Sequence, residues 1–339
     1  MLGAHYSGLS NLASPFLAGC GAILMLHRVG KQQNQSGLNG FLSVEEGFLR
    51  EMLSTLKRSG LIFVSLDEAV DRIKHGHTDE RFAAITLDDG YRDNLLNAAP
   101  IFKALETPYT IFACTGFADA TASLWWEIVA KIIEGQDQLM LPSKDGEQRF
   151  RCRTSYEKQC TYDVLIDYLI AEVSEAEQRQ IVTALASKFE IDEAAYCRNE
   201  AMNWGELKLA AQDPLCTIGA HTLNHFALKR LSAEHALSEC VQSAEILADH
   251  LGEKPRHFAY PYGGDYAVGQ RETEIARAAG FASAVTTRHG MLLPEHKSHL
   301  FALPRISING NYQRIHYVKT MLTGFTVPVA NRGKRLVTV

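Results

Sequence analysis

The 339-residue sequence is poor in several things, and each shortage closes a possibility. It has no basic stripe: 34 Lys and Arg stand against 39 Asp and Glu, a formal charge of −5. The electrostatic footprint of a nucleic-acid binder is therefore missing. No unbroken apolar run reaches about 18 residues, which excludes a spanning helix. Seven cysteines are scattered without a Cys-x-x-Cys spacing. An odd count in a long chain points to reduced thiols and away from a disulfide framework. Basic residues are also missing ahead of Arg28, and Pro15, Gly19 and Gly21 interrupt the apolar stretch 9–26. A signal peptide needs a charged start and an unbroken apolar centre, so a cytoplasmic protein is expected.

What is there is globular: 46% apolar and 22% charged residues, close to the average folded domain. Length alone allows two domains or one large barrel. Short apolar runs recur at 22–26, 61–64, 83–87, 109–113, 216–220, 257–259, 282–286 and 302–308 and read as buried strands. Between many of them lie helical patterns. Residues 43–58 and 232–251 carry apolar side chains at the 3.6-residue period, with Ser43 and Ser232 as expected N-caps. Strands alternating with helices indicate an α/β protein with a largely parallel sheet. The alternation fails at 118–203, which shows almost no strand signal and reads as helices at 123–134 and 163–189. This stretch is expected to be a helical insertion forming a lid or substrate wall. Residues 1–21 are expected to be an N-terminal extension, with 7–19 a surface or interface segment, and 22–339 the main unit.

Three segments carry chemistry. In Thr86-Leu87-Asp88-Asp89-Gly90-Tyr91 an apolar strand runs into two carboxylates. The end of a strand is where α/β folds place ligands, and adjacent carboxylates repel unless a cation or a shared proton relieves them. Asp-Asp-Gly is equally good turn chemistry. In His221-Thr222-Leu223-Asn224-His225 a second strand ends in two histidines four apart. That spacing is weak evidence by itself, but two imidazoles and an Asp make a three-ligand site with positions left open, as a catalytic metal requires. Zinc is the default, with Co2+, Ni2+ and other divalent ions open. In Tyr260-Pro261-Tyr262-Gly263-Gly264 aromatics flank a rigid turn, a surface on which sugar rings stack or simply a packed loop.

Together these segments resemble the motifs of the polysaccharide deacetylases, the nodulation-protein-B homology group or carbohydrate esterase family four. Asp88-Asp89-Gly90 matches the first motif, Thr-Phe-Asp-Asp-Gly. His221 to His225 matches the second, His-[Ser/Thr]-x-x-His, and Tyr260 to Gly263 resembles the third, Arg-x-Pro-Tyr-Gly. The resemblance spans roughly residues 22–308. It implies a distorted (β/α) barrel, a divalent metal held by Asp89, His221 and His225, Asp88 as general base, and the Tyr91 backbone N–H at the oxyanion. It implies an N-acetylated saccharide as substrate, with Tyr260, Pro261, Tyr262 and Trp126 as expected contacts. Trp125 and Trp204 are further stacking candidates.

Two positions depart from the family pattern. Its third-motif arginine falls at Ala259, leaving Arg305 as the candidate substitute. Its closing Leu-x-His strand is missing after Gly280, and the best match is Leu24-Met25-Leu26-His27 at the other end of the chain. A barrel closes on itself, so a strand moved from last to first keeps its place. This resembles the circularly permuted subgroup and makes His27 the expected general acid, ahead of His289 and His316. The other histidines, His257 and His296 among them, are expected at the surface. The expected activity is removal of N-acetyl groups from an amino-sugar saccharide. O-acetyl ester or cyclic-ureide hydrolysis on the same fold, or a catalytically degenerate carbohydrate-binding protein, are the alternatives. Oligomeric state leaves no signal in the sequence.

Overall fold

The computed structural model describes residues 14–31, 37–77 and 80–339. Twelve strands are present among them: β1 (Gly21–Leu26), β2 (Arg28–Gly30), β3 (Ser43–Glu45), β4 (Ile62–Val64), β5 (Phe82–Leu87), β6 (Tyr109–Ala113), β7 (Gln138–Ser143), β8 (Gly146–Arg151), β9 (Cys216–Ala220), β10 (His257–Ala259), β11 (Ser283–His289) and β12 (Leu303–Ser307). Seven of them close a parallel barrel in the order β1-β12-β11-β10-β9-β6-β5, with β5 pairing back onto β1. The closing pair is the longest register in the ring, Gly21 to Leu26 against Phe82 to Leu87. Gly21 makes it possible, because a Cβ there would lie 2.7 Å from the Phe82 ring. β4 adds to the ring from the outside, along the first half of β5.

Every residue of β1, β5 and β6 is buried. That is the signature of parallel strands with helices outside and packed side chains within, and it is why they read as continuous apolar runs rather than alternating ones. The helix Glu46–Arg58 supplies one such cover, burying Phe48, Leu49, Met52, Leu53 and Leu56 in a cluster with Ala22, Leu24 and Leu26. Truncating one of these leucines to Ala should cost about 2–5 kcal/mol, the usual range for a core cavity.

The segment 118–203 is mainly helical, with two corrections. Its helices are Trp125–Glu134, Ser155–Ala171, Glu175–Lys188 and Glu193–Glu200. They enclose a hydrophobic cluster of their own around Trp125, Ile128, Leu165, Leu169 and Val182. Between the first two lies an antiparallel hairpin, β7 with β8, where no strand was expected. The long helix expected over 163–189 is two helices, broken where Ser174 and Glu177 form a capping box.

Other expectations also shift. The helix expected from Ser43 starts at Glu46, because Ser43 to Glu45 pairs with β2 instead. Ser232 does cap its helix, accepting from the His235 N–H. His257 and His296 are buried, not surface: His257 meets Ser283 and Asp67, and His296 meets the Leu293 and Val337 carbonyls. Of the expected surface segment 7–19, residues 7–13 lie outside the described residues. Phe16 is exposed, whereas Ala18 is buried. All seven cysteines are free. Among the described residues no helix is long and apolar enough to cross a membrane.

Candidate active site

The barrel places its polar groups at one mouth, where the strands end. β1 delivers His27, β5 delivers Asp88 and Asp89, β9 delivers His221 and His225, and β10 leads into Tyr262. Left-handed backbone marks the turns: φ is 71° at both Asp89 and Gly90, 64° at Thr222, 56° at His225 and 62° at Tyr262. Non-glycine residues take such values only where surrounding contacts hold them, and they concentrate at functional sites.

Asp89, His221 and His225 converge. Nε2 of His221 lies 3.3 Å and Nε2 of His225 3.2 Å from Asp89 Oδ1, and all three side chains are buried. One potential ligand atom from each lies within 4.8 Å of the others. The tautomer of His221 follows from its other nitrogen, which lies 2.7 Å from the Ala259 carbonyl. A carbonyl only accepts, so Nδ1 carries a proton, and Nε2 is the nitrogen left to face the Asp89 carboxylate. A shared proton or a metal cation can bridge such a buried pair. Burial pushes the His225 imidazole down to about 4, so this ring is neutral near pH 7. Two imidazoles and one carboxylate match the donor set for zinc or a similar divalent ion, with room for further ligands.

Asp88 is held differently. Arg305 grips both its oxygens, NH1 to Oδ1 at 2.7 Å and NH2 to Oδ2 at 2.6 Å. Arg305 is itself wholly buried inside the barrel, donating also to the Thr286 carbonyl and to the Thr86 hydroxyl. Burial alone would raise the Asp88 carboxyl, but the Arg305 guanidinium outweighs it and holds the group below its ordinary range. Asp88 is therefore a carboxylate at neutral pH. His27 Nε2 stands 3.9 Å from Asp88 Oδ2, and its side chain is 22% exposed.

His27, Asp88, Asp89, His221 and His225 line a cavity of about 180 Å³. Its walls are largely apolar and come from two sources: Trp125, Trp126, Ile166 and Ile170 from the insertion, and Phe41, Leu42 and Tyr262 from barrel loops. The insertion thus forms one wall of the site. Trp126 packs against His225 with ring centroids 4.9 Å apart, and Tyr262 does so at 4.8 Å.

Not every expected contact reaches the cavity. The Tyr260 ring turns inward onto Phe258, with its hydroxyl on the Phe301 carbonyl. Neither Tyr260 nor Pro261 borders the cavity. Trp204 stacks on His250 well outside it. His289 hydrogen-bonds Thr326 and likewise takes no part. The Tyr91 side chain is buried beneath Arg28, its hydroxyl donating to Glu127 and accepting from Trp126 Nε1. Residues that the sequence did not single out are Arg28, Glu127, Arg179 and Glu239. Their roles depend on tertiary contacts, so no local signal could have found them.

At one mouth of a parallel barrel the structure thus brings together a His2Asp cluster, an arginine-bound carboxylate and a histidine. The polysaccharide deacetylase family model matches residues 177–284, a stretch that contains both histidines and the Tyr262 segment. Over that stretch the chain is similar to the polysaccharide deacetylases. Solved structures share the fold. The deacetylase PplD of Streptococcus pyogenes, in complex with acetate, is 18% identical with a TM-score of 0.54, over 88% of this chain and 97% of that one. IcaB from Ammonifex degensii is 18% identical with a TM-score of 0.54, over 89% and 97%. A de-N-acetylase from Aggregatibacter actinomycetemcomitans is 14% identical with a TM-score of 0.57, over 88% and 99%. No curated protein matches the chain by sequence.

Proposed function

We propose that this hydrolase is a divalent-metal-dependent de-N-acetylase acting on a saccharide that contains N-acetylated amino sugars. The observation that carries the reading is the bidentate hold of Arg305 on Asp88, beside the Asp89, His221 and His225 cluster and across from His27. A divalent ion at that cluster, zinc in the first instance, supplies Lewis-acid polarisation of the amide carbonyl.

The protein's own groups divide the proton work. Asp88, kept ionised, accepts a proton from the attacking water as it adds to the acetamido carbon. The Tyr91 backbone N–H stabilises the oxyanion that forms. His27 donates a proton to the leaving nitrogen, because an amine leaves far more readily than an amide anion. Acetate and a free amine are the products. Arg305 takes the part that an arginine in the third motif would play, and the position of β1 between β12 and β5 supports His27 as the acid. That placement is what a circular permutation of the family order would give. Trp126 and Tyr262 are the proposed substrate contacts, since both face the cavity beside His225.

The test is release of acetate from N-acetylhexosamine oligomers and from nucleotide- and lipid-linked sugars, with and without chelator. Equal amounts of acetate and free amine, lost on chelation and restored by Zn2+ or Co2+, are expected. Release from O-acetyl esters alone, or release indifferent to chelator, would contradict the reading.

A further inference from the structure

The second histidine of the cluster sits at the end of a short, strained loop, and one of the three clamps on that loop comes from the insertion. Thr222 and His225 both have left-handed φ values, so the segment 222–225 keeps its shape only if its polar groups are held. The N–H side is held by the barrel's own helix. Glu239, buried in Ala233–Leu251, accepts from the Leu223 N–H at 3.1 Å, the Asn224 N–H at 2.8 Å and the Asn224 side chain at 2.7 Å. The Thr222 hydroxyl accepts from the His225 N–H at 2.9 Å.

The carbonyl side is divided. The Thr222 and Leu223 carbonyls accept from the Thr115 and Gly116 N–H groups at 3.3 and 2.8 Å. The Asn224 and His225 carbonyls instead accept from Arg179, whose NH2 lies 3.3 and 3.1 Å away. Arg179 belongs to the helix Glu175–Lys188 of the insertion. Its guanidinium is set by three contacts. It donates to Gln178, which in turn donates to the Leu169 carbonyl at the end of the preceding helix. It also lies 5.2 Å from the Phe226 ring and 6.0 Å from the Trp125 ring.

We infer that Arg179 is a positioning residue: through the carbonyls of Asn224 and His225 it fixes the loop that presents the His225 imidazole to the metal. The insertion thereby does more than wall the cavity, since it completes the ligand loop from outside the barrel. Arg179 does not border the cavity and touches no reacting atom.

The inference rests on the metal reading above, and it makes a prediction of unusual sign. Arg179 is a cation close to a cation site, so electrostatics alone would make its removal tighten metal binding. Positioning requires the reverse. The test is Co2+ and Zn2+ affinity of the full-length protein by chelator competition, with the Co2+ absorption bands as a record of ligand geometry. Arg179→Met should raise the dissociation constant at least tenfold and alter the bands, with kcat falling more than KM rises. Arg179→Lys keeps the charge but lacks the second guanidinium nitrogen that donates to Gln178 and sets the first, and its loss should be smaller, about threefold to tenfold. Thermal unfolding of both metal-free variants separates this from a general loss of structure, and the lysine variant serves should the methionine one not fold. Affinity equal to or tighter than wild type in the folded variants overturns the inference while leaving the metal reading intact. A wild-type protein that binds neither ion overturns both.

Discussion

Arg305, buried inside the barrel, and Arg28, half-buried just past the end of β1, both sit among carboxylates, yet the carboxyls shift in opposite directions: Asp88 down, Asp93 and Glu127 up. Arg305 serves one, Asp88, with two parallel hydrogen bonds. Arg28 is shared by three: Asp93 at 2.9 Å, Glu127 at 3.4 Å and Glu200 at 2.5 Å. Burial raises every buried carboxyl. At Asp88 a dedicated guanidinium overcomes that and the group is pulled down. At Asp93 and Glu127 a divided one does not, and both are pushed up, with Glu200 adding repulsion. The lesson is one of stoichiometry. One arginine per carboxylate makes a fixed anion suited to accept a proton, whereas one among three makes a joint between barrel and insertion that carries surplus negative charge. The joint is structural in plain view: Glu127 and Glu200 are on insertion helices, and Asp93 also accepts from the Val29 N–H.

The comparison can be broken most severely at Arg305. Arg305→Met leaves Asp88 buried without its partner, a change of about 3–5 kcal/mol in unfolding free energy. Deacetylation should fall at least 1000-fold, and urea unfolding with acetate release checks both. Wild-type stability in that variant would mean the pair is not the anchor claimed for it. Arg28→Met should do less, about 1.5–3 kcal/mol, the scale of one or two charged hydrogen bonds. Its carboxylates can take up a proton in place of the lost cation. That loss should therefore shrink between pH 8 and pH 5, read from urea midpoints across the range.

The smallest effect is also the sharpest, because the two centres should give opposite slopes of stability against pH. Asp88 has a folded value below its unfolded one. Its contribution is present above the ordinary carboxylate value of about 4 and is lost as pH falls through the lower folded value. Glu127 has a raised folded value, so its contribution is present below about 4.3 and is lost as pH rises through the folded value. Asp88→Asn should flatten the acid side of the stability profile, and Glu127→Gln the stretch above about 4.3. Identical profiles for the two variants would erase the distinction drawn between them.

How much of this could be read from the chain differs between barrel and insertion for a physical reason. Barrel strands are buried on both faces, so each shows as an apolar run, and polar residues directly after a run, such as Asp88-Asp89 and His221, mark the functional mouth. Arg305 was legible as a candidate only as a substitute, on another strand, for the arginine that the third motif lacks at Ala259. The insertion hides more. β8 is exposed along almost its whole length, so that strand leaves no buried period to detect, and β7 buries only Leu139 and Leu141. The break at Ser174 was readable as Ser-x-x-Glu, but the apolar pattern across it favoured one helix. Tyr260 and Tyr262 look alike in sequence, and only the turn between them sends one ring to the core and the other to the cavity. Arg179 and Glu239 meet a loop some 45 and 15 residues away in sequence, contacts that no local pattern encodes.

The most direct measurement is metal content and acetate release on one preparation of Asp88→Asn, beside wild type. If Asp88 is the base and Asp89, His221 and His225 are the ligands, the variant should hold the same metal per chain while losing at least 1000-fold in acetate release. Turnover near the wild-type rate with metal bound would show that Asp88 does not take the proton.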